Sequence, residues 1–128
     1  MTTLDVLKAI ADHTRLRILN LLLESDELCA CEIEAVLDLN QPNASRHLTR
    51  LRQAAILTAE RQGHWVHFAL AQTHRDPHGL VHRAVVGARA DGSIPTDDLD
   101  RLRAYRGSGY SCATIDRWSA EIAGGASW

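Results

Sequence analysis

Apolar positions in the first half of the chain recur at helical spacing and then switch to period two, which predicts short helices followed by a β-hairpin. Leu4, Leu7, Ile10 and Ala11 share one face. Asp12 offers an N-cap to a second segment, in which Leu16, Leu19, Leu22 and Leu23 form the stripe while Arg15 and Arg17 point off it. Residues 25–28 read as a polar break. A third helix is expected over about 30–37, burying Ile33, Val36 and Leu37. Residues 39–42 then form a tight turn, with Asn40 as N-cap and Pro42 in the first turn, where a missing N–H costs nothing. In the fourth helix, about 41–54, Ala44, Leu48 and Leu51 face inward at i, i+4 and i+7. Residues 56–61 and 65–70, either side of Gln62-Gly63-His64, alternate as the strands of a hairpin. A further helix is expected at 78–90, with Leu80, Val81, Ala84, Val85 and Ala88 apolar. After the break at 91–95, Thr96 is expected to N-cap a helix to about Arg106, with Asp97 and Asp98 in its first turn. Gly107-Ser108-Gly109 opens a stretch of little periodicity. The expected organisation is a domain over 1–106 and a C-terminal tail over 107–128.

Two short helices about a tight turn, followed by a hairpin, define a winged helix-turn-helix: mainly α, with a small β-hairpin wing. The fourth helix is then the candidate reader of DNA. Gln41, Asn43, Ser45, Arg46, His47 and Arg50 lie off its apolar face. Gln and Asn pair bidentately with adenine, Arg pairs with guanine or phosphate, and Ser45 and the first-turn amides suit phosphate. In the wing, Arg61, Gln62 and His64 are placed for backbone or minor groove, whereas Trp65 reads as a packing residue.

Composition fits this picture only once charge is resolved along the chain. The 128 residues, 45% hydrophobic and 23% charged, suit one small domain. The formal charge of −2 argues against a polyanion partner. Yet six acids and no Lys or Arg lie between Glu24 and Asp38, and no acid lies in 39–59, which holds Arg46, Arg50 and Arg52. A local field of this kind matters more to DNA than the total. No apolar run approaches the roughly 18 residues of a membrane span, and the amphipathic N-terminus, with Asp5, does not read as a signal peptide. A cytoplasmic location without a membrane partner is expected.

Cysteine usage adds chemistry. The chain has 3 cysteines, an odd number, with Cys29 and Cys31 one residue apart and Cys112 remote. A cytoplasmic location disfavours a structural disulfide, so the set suggests soft-ion binding or redox chemistry. Thiolate selects thiophilic ions. On an α-helix, residues i and i+2 are about 200° apart, so Cys29 and Cys31 share one ion only if the helix start is extended or unwinds. A helix N-terminus also favours thiolate. One expected mechanism is that an ion draws the two sulfurs together and distorts the first turn of the third helix, which packs on the reading helix. Enzyme chemistry is disfavoured: there is no phosphate-cradling Gly loop, no G-x-S-x-G elbow and no C-x-x-C.

The stretches ADHTRLRIL, ELCACEIEAVL, NQPNASRHLTRLR and ERQGHWVHFAL together resemble the arsenic-responsive branch of the ArsR/SmtB metalloregulators, over roughly residues 4 to 70. The resemblance implies a homodimeric repressor on double-stranded operator DNA, released when arsenite or antimonite binds, with no obligatory cofactor. Its dimer would use the first helix and the stripe from Leu80 to Ala88. Where that branch carries a third cysteine, this chain has Glu34. Two thiolates with a solvent hydroxide, or Cys112 reaching back from its own or the other subunit, would complete the site. Asp76-x-His78 resembles half of the zinc site of some members, but Arg89 and Gly92 stand where its other half belongs, so no zinc site is expected. A thiol-redox or cadmium- or lead-responsive repressor of the same fold is the alternative.

Overall fold

A computed structural model describes residues 1–123; residues 124–128 of the expected tail lie outside the described residues. Helices α1 (Thr3–Ile10) and α2 (His13–Glu24) meet at Asp12, whose carboxylate accepts the Arg15 N–H at 2.9 Å, the predicted N-cap. Strand β1 (Leu28–Cys29) leads directly into α3 (Ala30–Leu37), and α4 (Gln41–Gln53) follows. Asn40 caps α4 by accepting the Asn43 N–H at 2.9 Å. The wing is β2 (Leu57–Gln62) and β3 (Trp65–Leu70), antiparallel with Gln62 opposite Trp65. Gly63, at φ 64, starts its two-residue loop, a conformation that a Cβ disfavours.

After a 3₁₀ turn at Gln72–His74, α5 (Leu80–Asp91) and α6 (Asp97–Gly107) complete the expected helices, α5 starting two residues later than the periodicity suggested. Thr96 precedes α6 but has a helical backbone (φ −74, ψ −27) and makes no side-chain cap bond. Asp97 and Asp98 stand in the first turn of α6 as expected, and Asp98 has a second role. It is buried and takes both Arg17 nitrogens, at 2.8 and 2.9 Å, which ties α6 to α2. Such a pair fixes geometry more than it adds net stability.

Two elements go beyond the sequence reading. Within the polar break at 25–28, Leu28 opens β1, which pairs antiparallel with β3 (Leu28 with Phe68, Cys29 with His67) and makes the wing a three-stranded sheet of order β1-β3-β2. The stretch after Gly109 contains α7 (Ile115–Ala123), whose Ile115 and Trp118 are buried in the core. That core runs from α1 through α2, α3 and α4 to α5 and α6, with Ile18, Leu19, Leu22, Ile33, Val36 and Leu51 sealed from solvent. Leu4, Leu7, Leu80 and Val86, on α1 and α5, stay exposed. Among the described residues no helix is long and apolar enough to cross a membrane.

Candidate nucleic-acid interface and thiol cluster

Helix α4 turns Ala44, Leu48 and Leu51 into the core, as its spacing requires, and leaves Gln41, Ser45 and Arg46 exposed and Asn43 and Arg50 half-buried. Arg46 donates to Asn43 Oδ1 at 2.6 Å, which aligns two candidate readers on one turn. Arg61, Gln62 and His64 are exposed at the wing tip. Gln62 donates to Glu27 at 3.3 Å, and His64 stacks edge-on against half-buried Trp65 at 5.9 Å. Between α3, α4 and β3 lies a cleft of about 300 Å³, bordered by Gln41, Ser45, Arg52 and Glu34. Arg52, exposed in the last turn of α4, extends the basic face; the acid-free window already contained it.

His47 does not join that face. It is buried, receives Arg15 Nη1 at 3.1 Å on Nδ1 and lies 3.7 Å from the Asp12 carboxylate. Arg15 in turn donates to the Ala9 carbonyl. The imidazole therefore fastens the reading helix to the α1–α2 junction. Burial lowers its pKa, Asp12 opposes this, and Arg15 and Arg46 add to the lowering. His47 lies three residues after Ala44 and four before Leu51, at the border of the apolar face, and the α1–α2 junction packs over that border.

The three cysteines converge. Their sulfurs lie within 4.8 Å of one another, with Cys29 buried and Cys31 and Cys112 half-buried, all from one chain. Cys29 and Cys31 Sγ are 2.9 Å apart. The reason is local: Cys29 is the N-cap of α3 at φ −80, ψ 162, an extended residue rather than a helical one, so the 200° offset never applies. The condition that the helix start be extended is met without unwinding. Cys112 enters from the turn before α7, its Cα 6.8 Å from that of Cys29, and the two sulfurs are paired as a disulfide while Cys31 is free. Burial first, then the charges of Glu32 and Glu34, push the Cys31 thiol upward. This opposes the thiolate-favouring effect expected of the helix start. Glu34, in the place of the missing third cysteine, also borders a second cleft, beside Cys31, together with Ile115, Asp116 and Ser119 of α7, and burial raises its pKa.

Sequence reasoning missed the frame behind the sulfurs. Glu32 accepts the Cys29 N–H at 2.9 Å through one carboxylate oxygen and the Tyr105 hydroxyl through the other. The spacing of Glu32, three residues after the N-cap, is a capping-box signal that would have found it. No signal in the sequence points to Tyr105.

The arrangement of α3, α4 and wing defines a winged helix-turn-helix regulator. The model of the bacterial regulatory protein, arsR family, matches residues 12–58. Over 65 residues the chain is 48% identical to the arsenic resistance transcriptional regulator ArsR1 of Pseudomonas putida, covering 51% of each chain. It is 46% identical over 68 residues to the arsenical resistance operon repressor of Escherichia coli K12, covering 53% of this chain and 58% of the relative. The match thus spans little more than half the length of these curated relatives. Among solved structures, HlyU from Vibrio cholerae N16961 is 30% identical with a TM-score of 0.57, covering 68% of this chain and 88% of that one. The chain belongs to the ArsR family of transcriptional regulators, which is not a family of enzymes.

Proposed function

We propose that this chain is a homodimeric operator-binding repressor that leaves its DNA when trivalent arsenic or antimony is bound by Cys29, Cys31 and Cys112 of the same chain. The observation that carries the reading is the convergence of three sulfurs within 4.8 Å at the start of α3. The relatives named for arsenic resistance support the metalloid as inducer. The binding form is the reduced one, because the Cys29–Cys112 pair must supply two thiols. Trihydroxyarsenic and three thiols then give the tris-thiolate and three waters. That product is neutral. A divalent cation held by three thiolates would carry a negative charge beside Glu32 and Glu34, in a half-buried site that disfavours it. Zinc wants four tetrahedral ligands, whereas the cluster among the described residues offers three.

DNA contact is assigned to Gln41, Asn43, Ser45, Arg46 and Arg50 of α4 and to Arg61, Gln62 and His64 of the wing, with His47 holding the helix in place. The exposed apolar residues of α1 and α5 suit a two-fold interface. Two reading helices about 34 Å apart would then read a pseudo-palindrome. Fluorescence polarisation on operator DNA tests the scheme. Arsenite at micromolar concentration should release the reduced wild type. Cys29→Ser and Cys31→Ser should bind DNA and resist release. Unchanged release in both variants overturns the site.

The sulfur contact between Cys29 and Cys112 favours one second reading, a thiol-oxidation sensor. A hydroperoxide would take two electrons from the two thiols, leaving disulfide, alcohol and water. Peroxide-dependent release, with reduced protein indifferent to arsenite, would select it; release by cadmium in preference to arsenite would select the cation-responsive alternative.

A further inference from the structure

The three sulfurs come from chain segments separated by 83 positions, so something other than local geometry must bring them into register. One residue links the elements around that assembly, its side chain meeting Glu32 and Trp118 and its backbone carbonyl meeting Ser108. Tyr105, on α6, is 2% exposed and donates its hydroxyl to Glu32. The other Glu32 oxygen holds the Cys29 N–H, which keeps Cys29 at the extended N-cap position. The Tyr105 carbonyl accepts the Ser108 N–H at 3.1 Å and the Ser108 hydroxyl at 2.5 Å, and Ser108 Oγ accepts the Tyr110 N–H at 3.2 Å. These bonds shape the turn that delivers Cys112. The Tyr105 ring meets Trp118 of α7 edge-on, with centroids 5.2 Å apart and planes at 67°. Cys112 is therefore bracketed on both sides by elements that lean on Tyr105.

We infer that Tyr105, acting through Glu32, is the positioning residue that pre-sets Cys29 against Cys31 and Cys112 for a three-sulfur ligand. The inference rests on the metalloid reading above. Neither residue touches the ligand; both fix the donor atoms, as partners behind a metal ligand set do. Burial, the bond to Glu32 and the charges of Glu32 and Cys31 all keep the phenol protonated, so it remains a donor throughout the working pH range. Preorganisation of this kind raises affinity by removing the cost of ordering the donors on binding.

The test uses Tyr105→Phe, which keeps the ring against Trp118 and deletes only the hydroxyl, together with Glu32→Ala and Glu32→Gln. Two readouts are needed. Equilibrium dialysis of arsenite against reduced protein should show about tenfold weaker binding in Tyr105→Phe and Glu32→Ala, the scale of one hydrogen bond to a charged group, and partial rescue in Glu32→Gln, which keeps an acceptor for the Cys29 N–H. Operator affinity without arsenite should be unchanged. The second readout needs no metalloid: diamide oxidises the thiols, and peptide mass spectrometry follows the rate at which Cys29 and Cys112 are joined. That rate should fall in Tyr105→Phe and Glu32→Ala. If Tyr105→Phe fails to fold, Glu32→Ala decides on both readouts. Arsenite affinity and cross-linking rate equal to wild type would overturn the inference. A wild type that cross-links rapidly but binds no arsenite would sink the proposed function, while a slower rate in the variants would still establish the positioning role.

Discussion

Cys112→Ser separates a three-sulfur site from a two-sulfur one, and the size of its effect follows from the geometry. A sphere of 4.8 Å radius encloses about 460 Å³, so one thiol confined within it corresponds to a local concentration of roughly 4 M. In the variant, the third sulfur must come from a monothiol in solution. With glutathione at about 1 mM, the tethered thiol is favoured by up to roughly 4,000-fold, or about 5 kcal/mol. Imperfect alignment of the Cys112 lone pair and residual freedom of its turn reduce this, and a loss of arsenite affinity of about 100-fold or more is expected. The loss should shrink as glutathione is raised, because solution thiol then fills the vacancy. The assay is competitive dialysis of arsenite at two glutathione concentrations, with operator affinity as the folding control. A change of less than about threefold, independent of glutathione, would refute the idea that Cys112 supplies a ligand.

Other expectations concern the reading helix and its anchors. Arg46→Ala and Arg50→Ala should each weaken operator binding and lower the salt slope by about one if the contact is to phosphate, or relax base preference by about 1–3 kcal/mol at one position if it is to guanine; titrations at several salt concentrations distinguish the two. His47 and half-buried His74 have pKa values lowered by burial, so the unfolded chain binds their protons first as pH falls, and stability should be full above the ordinary imidazole value of 6.5 and decline below it. His47→Gln should flatten that decline in thermal melts. Ala55, which follows the last turn of α4 at φ 57, occupies a position suited to glycine, and Ala55→Gly should stabilise by about 0.5–1 kcal/mol in urea unfolding.

The helix-turn-helix and the wing were readable because each element declares itself locally. Asn40 and Asp12 cap, Ala44, Leu48 and Leu51 repeat every turn, and Gly63 sits where a hairpin needs positive φ. Failures arose where a long-range partner decides. His47 is buried by the α1–α2 junction, and Asp98 is claimed by Arg17 across 81 positions. Helix α7 does carry a periodic signal, with Ile115, Trp118 and Ile122 at i, i+3 and i+7, but it is nine residues long between glycine- and serine-rich flanks, too short to hold as a helix without the core surface that receives Ile115 and Trp118.

The thiol site shows both kinds of residue at once. The spacing of Cys29 and Cys31 was visible, and so was the obstacle that helical geometry places between them. The obstacle disappears because a helix has a boundary. An N-cap residue keeps extended dihedrals while its neighbour two positions on is already helical, and this half-in position is where Cys29 stands. Pairing of β1 with β3 fixes that boundary from one side, and the Glu32 carboxylate fixes it from the other. A ligand that meets sulfurs already together need not unwind α3. The first-turn distortion expected from sequence is therefore not required for binding, and the wing strand β3 is itself paired with the segment that carries the first sulfur, His67 standing opposite Cys29.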